Sequence, residues 1–284
     1  MKACVPVAAC AVLLGLAACG NPSLSEKPVA SALPVTWDAA TRAAERAKMQ
    51  ELTSDWKTWY NYAYYQVRLS RNFVGLDTAA RPMPRKTFLD QLATGRCIAL
   101  NWRQGSATAP AIYKLVAYNQ GGEIATTSKQ MADIELDYFR LEGKPLPTFT
   151  FRDLNGKTYT AANTLGKVLV LKAWYINCVT CVEEFPQVNA LAEKYQPNKD
   201  VLFVSLAFNA APELREFLER VPLKYATVPD CEKYLVEKLA IGGYPTHIIV
   251  GRDGKIVKVV GTADDLALAL ARAVPPPSPP VAVH

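Results

Sequence analysis

The stretch that decides the reading runs from Val168 to Pro186, VLVLKAWYINCVTCVEEFP. Val168 to Trp174 is apolar except for Lys172, the composition of a strand covered on both faces. From Cys178 to Tyr195 the pattern is helical. Cys178 and Cys181 therefore stand where a buried strand hands over to a helix. At such a junction backbone N–H groups and the helix dipole stabilise a thiolate, so Cys178 is expected to be exposed and acidic. Thiolate is the nucleophile of disulfide exchange, so Cys178 is the attacking sulfur and Cys181, one turn in, resolves the mixed disulfide.

Outward from this stretch, Phe149-Thr150-Phe151 and Tyr159-Thr160 flank the turn Asp153-Leu154-Asn155-Gly156-Lys157 and read as a β-hairpin. Val201 to Phe208 reads as a second buried strand, Pro212 to Arg220 and Cys231 to Ala240 as helices. Thr246 to Val250 and Lys255 to Val260 read as a hairpin around Arg252-Asp253-Gly254, and Ala263 to Ala273 as a last helix. Strands alternating with helices and ending in a hairpin imply a mixed α/β sheet covered on both faces.

Upstream, residues 35–144 read as a mostly helical α+β region. Thr36 or Asp38 caps a helix over Ala39 to Leu52, and Ser54 caps one over Trp56 to Leu69. The second carries Trp56, Trp59, Tyr60, Tyr62, Tyr64 and Tyr65, at spacings expected of a buried face. Strands over Cys97 to Trp102 and Ile112 to Tyr118 and a helix over Ser128 to Leu141 follow. No catalytic constellation stands out there, and Gly143-Lys144-Pro145-Leu146-Pro147 punctuates the boundary to residues 145–274.

At the amino end, Lys2 followed by the apolar run Ala3 to Ala18 is too short to span a bilayer and has the build of a signal peptide, residues 1–18. Leu16-Ala17-Ala18-Cys19 resembles the bacterial lipobox, which implies a mature chain lipidated on Cys19, with residues 19–34 as a tether. The compartment is then the bacterial cell envelope, on the periplasmic side of the outer or inner membrane. Residues 275–284 are a proline-rich tail expected to be extended.

The 284 residues are half hydrophobic and a fifth charged, which excludes a wholly disordered chain, a collagen and a coiled coil. A net charge of +6 without a basic, aromatic-interleaved stripe gives no nucleic-acid partner. Seven cysteines are too few for a disulfide scaffold at this length. Cys97 and Cys231 are either small buried hydrophobes or a bridge between the two regions. Zinc on Cys178 and Cys181 lacks further ligands at the right spacing, so no metal and no cofactor are expected.

Residues Thr148 to Ala273 resemble a thioredoxin-fold domain of the TlpA/ResA type, membrane-tethered bacterial thiol:disulfide oxidoreductases. The resemblance rests on Gly166-Lys167-Val168 to Trp174, Cys178 and Cys181, Glu183-Glu184-Phe185-Pro186, and Gly243-Tyr244-Pro245-Thr246. It implies a thioredoxin-like sheet flanked by helices, a cis peptide bond before Pro245, and Tyr244 presenting its backbone to an extended substrate, with Trp174 as a second substrate-binding residue. Glu184 matches a glutamate near the dithiol, and Pro186 a proline that kinks the active-site helix. The implied partners are exported protein thiols or disulfides and a membrane electron donor.

Two departures stand out. Asn177 and Thr180 replace the Trp and Pro often found before the two cysteines. Lys172 occupies the place of a buried Asp, and a lysine on an apolar strand is costly unless paired. Either its ammonium approaches Glu184, the pair tuning or shuttling the Cys181 proton, or it snorkels to the surface. His247 reads as structural. The leading function is reduction of disulfides in exported proteins. The same dithiol also fits a metal-binding or partner-docking module. A peroxiredoxin-like peroxidase would want Thr three residues before the reactive cysteine, where Tyr175 stands.

Overall fold

The computed structural model describes residues 37–106 and 109–274. The expected signal peptide, the lipidation site Cys19, the tether and the proline-rich tail lie outside the described residues, as does Thr36.

Helix α1 (Ala39–Leu52) is capped by the Asp38 carboxylate, which accepts from the Thr41 amide. Helix α2 (Trp56–Gln66) is shorter than expected and is capped by Asp55 rather than Ser54. Only Trp59 and Tyr62 of its aromatics point inward, while Trp56, Tyr60, Tyr64 and Tyr65 are exposed. The expected buried face is thus a third of the run, because helical spacing turns 56, 60 and 64 away from the side that 59 and 62 share.

Three elements that the sequence reading passed over follow: β1 (Phe73–Leu76), β2 (Pro82–Met83) and α3 (Arg85–Leu92). With β3 (Cys97–Arg103) and β4 (Ala111–Ala117) the strands form a four-stranded sheet in the order β2-β1-β4-β3. Helix α4 (Gly122–Leu141) starts earlier than expected, after positive φ angles at Gly121 and Gly122 that break the preceding chain. Its Ala132 and Leu136 belong to the core of this first sheet. Tyr138, half a turn on, belongs to the core of the next one.

The second part opens with the hairpin β5 (Thr150–Arg152) and β6 (Thr158–Thr160) and the short α5 (Ala161–Thr164). Strand β7 (Val168–Trp174) is buried along its whole length, as its composition requires. Helices α6 (Val179–Glu183) and α7 (Phe185–Tyr195) replace the single expected helix. Pro186 has no N–H to offer the Val182 carbonyl, and the ladder breaks at Glu184. Strand β8 (Val201–Ala207), helix α8 (Ala211–Arg220) and the unanticipated short strand β9 (Ala226–Val228) come next. A π-helical turn at Tyr234–Lys238 stands where a longer helix was expected. Strands β10 (Thr246–Val250) and β11 (Ile256–Val260) and helix α9 (Ala263–Ala273) complete the described chain.

The resulting five-stranded sheet has the order β11-β10-β7-β8-β9, parallel from β7 to β9 and antiparallel at β10 and β11. It is the thioredoxin-like mixed sheet that the resemblance implied. Leu169, Leu171 and Ala173 of β7 pack on one face with Tyr138, and Val168 and Val170 on the other with α7 and α9. Lys172 shares the second face.

The free edge of β11 is covered from within the chain. The Gly143 amide donates to the Ile256 carbonyl and the Ile256 amide to the Lys144 carbonyl. Glu142 takes the Lys258 ammonium at 2.7 Å. Such coverage blunts an edge that would otherwise pair with another chain. Among the described residues no helix is long and apolar enough to cross a membrane.

Candidate active site

Cys178 and Cys181 are joined by a disulfide at the carboxyl end of β7. Cys178 is the N-cap of α6, its sulfur 3.3 Å from the Cys181 amide nitrogen. The Thr180 hydroxyl lies 3.7 Å from the same sulfur. The expectation of an exposed first cysteine does not hold for this oxidised form: Cys178 is only 5% accessible and Cys181 is fully buried. Tyr175, Ile176 and Tyr244 pack against the cluster that holds them.

The Tyr244–Pro245 bond is cis. Tyr244 meets Tyr175 edge-on at 5.7 Å and Phe208 at 5.1 Å, and Tyr175 stacks on Phe208 at 5.3 Å. An aromatic cup therefore borders the dithiol. Trp174 does not join it. It is fully buried between Phe185 and Phe217, so the substrate-binding role set down for it is corrected: those two rings, from α7 and α8, close over it.

A buried polar cluster joins the strand that leads into the dithiol to the helix break that follows it. Lys172 is fully buried and forms an ion pair with Glu184, which removes the alternative of a snorkelling lysine. The same Glu184 oxygen meets His247 Nε2 at 2.8 Å, and the other accepts the Ala263 amide at 3.1 Å. His247 arrives through strand pairing, directly opposite Lys172 in the β7–β10 register. The helix break at Glu184 lets its carboxylate turn inward. Burial alone pushes the Glu184 carboxyl up, but His247 and Lys172 more than reverse this and hold it below the usual carboxylate range. Burial pulls Lys172 down against the opposing pull of Glu184. Burial likewise pulls His247 down, so at neutral pH it is uncharged and Lys172 is the cation facing the carboxylate. His247, read from sequence as structural, is thus a direct partner of Glu184. Its Nδ1 is buried without a partner among the described residues.

Asn209 is another residue the sequence reading missed. Its side-chain oxygen accepts the Ile176 amide at 2.9 Å, and its amide nitrogen donates to Glu213, pinning the loop before Cys178. No local motif marks an Asn after a strand for that role. Cys97 and Cys231 are both free and sit in separate cores, so the alternative of a bridge between them falls. Glu183 is exposed. Among the described residues no group of three His, Cys, Asp or Glu side chains is placed to hold a metal ion.

A thioredoxin-like sheet with a vicinal dithiol at the end of its central strand and a cis-proline beside it defines a thiol:disulfide oxidoreductase. Comparison with known proteins agrees. The Redoxin family model matches residues 141–266. Thiol-disulfide oxidoreductase ResA of Bacillus cereus is 31% identical over 121 residues, 42% of this chain and 69% of that protein. The Bacillus subtilis ResA is 27% identical over 122 residues, 42% of this chain and 66% of that one. The chain belongs to the ResA-like thiol-disulfide oxidoreductases. Among solved structures, the thioredoxin domain of a thiol-disulfide oxidoreductase from Bacteroides vulgatus covers 46% of this chain and 96% of its own, at 23% identity and a TM-score of 0.42. A secreted disulfide oxidoreductase of Mycobacterium tuberculosis covers 44% and 96%, at 22% identity and a TM-score of 0.38. Residues before 141 lie outside the family match.

Proposed function

We propose that this enzyme reduces disulfides of exported proteins through Cys178 and Cys181 while tethered to a bacterial envelope membrane by lipid on Cys19. The observation that carries the reading is the bonded Cys178–Cys181 pair capping α6 beside the cis Tyr244–Pro245 bond. In the reduced enzyme the Cys178 thiolate, steadied by the Cys181 amide and the Thr180 hydroxyl, attacks one sulfur of the substrate disulfide. The other substrate sulfur leaves as a thiolate. Cys181 then gives up its proton and attacks Cys178, releasing the second substrate thiol and closing the disulfide seen here. Two electrons have passed to the substrate. A membrane electron donor resets the pair by the reverse exchange.

Tyr244 offers backbone to the extended substrate, with Pro245 keeping the loop turned toward the sulfurs. Lys172 and Glu184, with His247, form the buried charge set that tunes the proton of Cys181. The ion pair and its full burial support that assignment. Residues 37–144 and 145–274 act as accessory region and redox domain.

Insulin reduction with a dithiol donor tests the chemistry: turnover lost in Cys178→Ser is expected. Absence of turnover in the unmodified chain, with copper binding lost in Cys178→Ser, would replace the enzyme's proposed reductive role with a metal-docking one. A reduction potential near the thioredoxin value of about −270 mV supports a reductant, and one near about −120 mV makes it an oxidant. Cys19→Ser is expected to move the protein from the membrane to the soluble fraction.

A further inference from the structure

The accessory region touches the redox domain at chemically specific points. Tyr138, on the last turn of α4 and 3% exposed, lies 2.7 Å through its hydroxyl from Thr246 Oγ1. Thr246, fully buried, donates its own proton to the Gly243 carbonyl at 2.6 Å. A hydroxyl has one proton, so Tyr138 must be the donor to Thr246, and the order is Tyr138 to Thr246 to Gly243. This relay spans the cis bond: Gly243 precedes Tyr244–Pro245 and Thr246 follows it. A Cβ at position 243 would just reach Tyr138 Oη and Ile134 Cδ1, at 3.8 Å each, so α4 runs alongside the loop with room for about one carbon between them.

A second contact sits on the other face of the sheet. Asp265 in the first turn of α9 is 4% exposed and accepts from Ser70 Oγ and Arg71 Nε, each at 2.5 Å. Two residues earlier, the Ala263 amide holds Glu184. The accessory region therefore grips both the loop beside the dithiol and the helix start that holds the buried carboxylate. None of Ser70, Arg71 and Tyr138 lies within the family match, which begins at residue 141.

We propose that Tyr138 is a positioning residue of the enzyme: its hydrogen bond through Thr246 to Gly243 fixes the cis-proline loop for docking an extended polypeptide beside the dithiol. The Ser70–Arg71–Asp265 contact anchors the accessory region that carries it. The proposal rests on the reading of Cys178 and Cys181 as the reactive pair. It gives residues 37–141 a task in polypeptide recognition, with no group of their own in the electron transfer.

The test uses the full chain, with insulin as polypeptide disulfide and dithionitrobenzoate as a disulfide too small to lie along the loop. Tyr138→Phe is expected to raise KM for insulin roughly 2- to 10-fold, the span of one hydrogen bond, with kcat and the rate toward dithionitrobenzoate held. Thr246→Ser keeps the relay and should match the parent, while Thr246→Val should reproduce the loss. Unchanged KM in Tyr138→Phe overturns the proposal, as does an equal fall for both disulfides, which would make Tyr138 a residue of general folding. Hydrogen exchange at residues 242–246 is read in parallel and needs no turnover. Faster exchange confined to that loop in Tyr138→Phe supports the brace, and unchanged exchange overturns it. An inactive parent chain with a loosened loop in the variant would bring down the reading of the dithiol and leave the brace standing.

Discussion

Replacing Lys172 with Met removes the cation of the buried ion pair while keeping the length of the side chain. Lys172 is fully buried and Glu184 is 8% exposed, so solvent cannot take over the lost charge. Orphaning one member of a buried pair costs about 3–5 kcal/mol. Here Glu184 keeps His247 Nε2 at 2.8 Å and the Ala263 amide at 3.1 Å, which places the loss at about 2–4 kcal/mol by the same rule. At ~2–4 °C per kcal/mol for a chain of this size, the melting temperature should fall by about 5–15 °C.

The loss should also depend on pH. In the parent protein burial keeps His247 below its ordinary value, so the unfolded chain binds its proton first and stability falls as pH drops through the ordinary histidine range. Without Lys172 one contribution against His247 protonation is gone, which leaves burial to oppose the pull of Glu184. Protonating His247 then costs less than in the parent. The variant therefore loses less stability than the parent as pH drops through the ordinary histidine range. The gap between parent and Lys172→Met should therefore be wide at pH 8 and narrow at pH 5.5, read by urea denaturation of the oxidised proteins. A gap of equal size at both values refutes the charge bookkeeping. Alkylation of Cys181 in the reduced proteins reads the other half: an unchanged pH profile in Lys172→Met sinks the proton-tuning role.

Thr180→Val removes the hydroxyl 3.7 Å from the Cys178 sulfur and should slow iodoacetamide reaction of the reduced protein near neutral pH by about 2- to 10-fold, the span of one weak hydrogen bond. Asn209→Ala strands the Ile176 amide and should cost about 1–2 kcal/mol in urea denaturation, with faster exchange of that amide than in the parent. Burial and Asp230 push the Cys231 thiol up to about 12, so in the reduced protein at pH 8 mass spectrometry should find Cys178 alkylated well before Cys231.

What the sequence could convey follows the distance over which each feature is encoded. The buried strand Val168–Trp174, the dithiol and the following helix are local, and their residue types speak for themselves. Lys172 left two outcomes open, a buried partner or a route to the surface, and its full burial beside Glu184 decides for the partner. The part His247 plays was not legible, because only the β7–β10 register brings it opposite Lys172, and register is a property of the folded sheet. Trp174, given a substrate-binding role by the resemblance, is inside because Phe185 of α7 and Phe217 of α8 close over it, packing that only the folded chain shows. The strands β1, β2 and β9 are too short for a period to show, and α3 hides behind Pro84 without a polar cap. Tyr138 falls within the helix expected over Ser128 to Leu141, and nothing nearby in sequence points to Thr246.

The pairing of Gly143 and Lys144 along β11 bears on how this protein is to be handled. Punctuation in the sequence invites a cut just before Pro145, to obtain the redox part alone. Such a fragment would lose the backbone partners of Ile256, the carboxylate facing Lys258 and the hydroxyl that serves Thr246. A bare strand edge would be left, with the Lys258 ammonium beside it and no carboxylate opposite. The fragment should self-associate or collapse more readily than the intact chain, so activity measured on it would describe an artefact of dissection. Work on either part is best done with both in place.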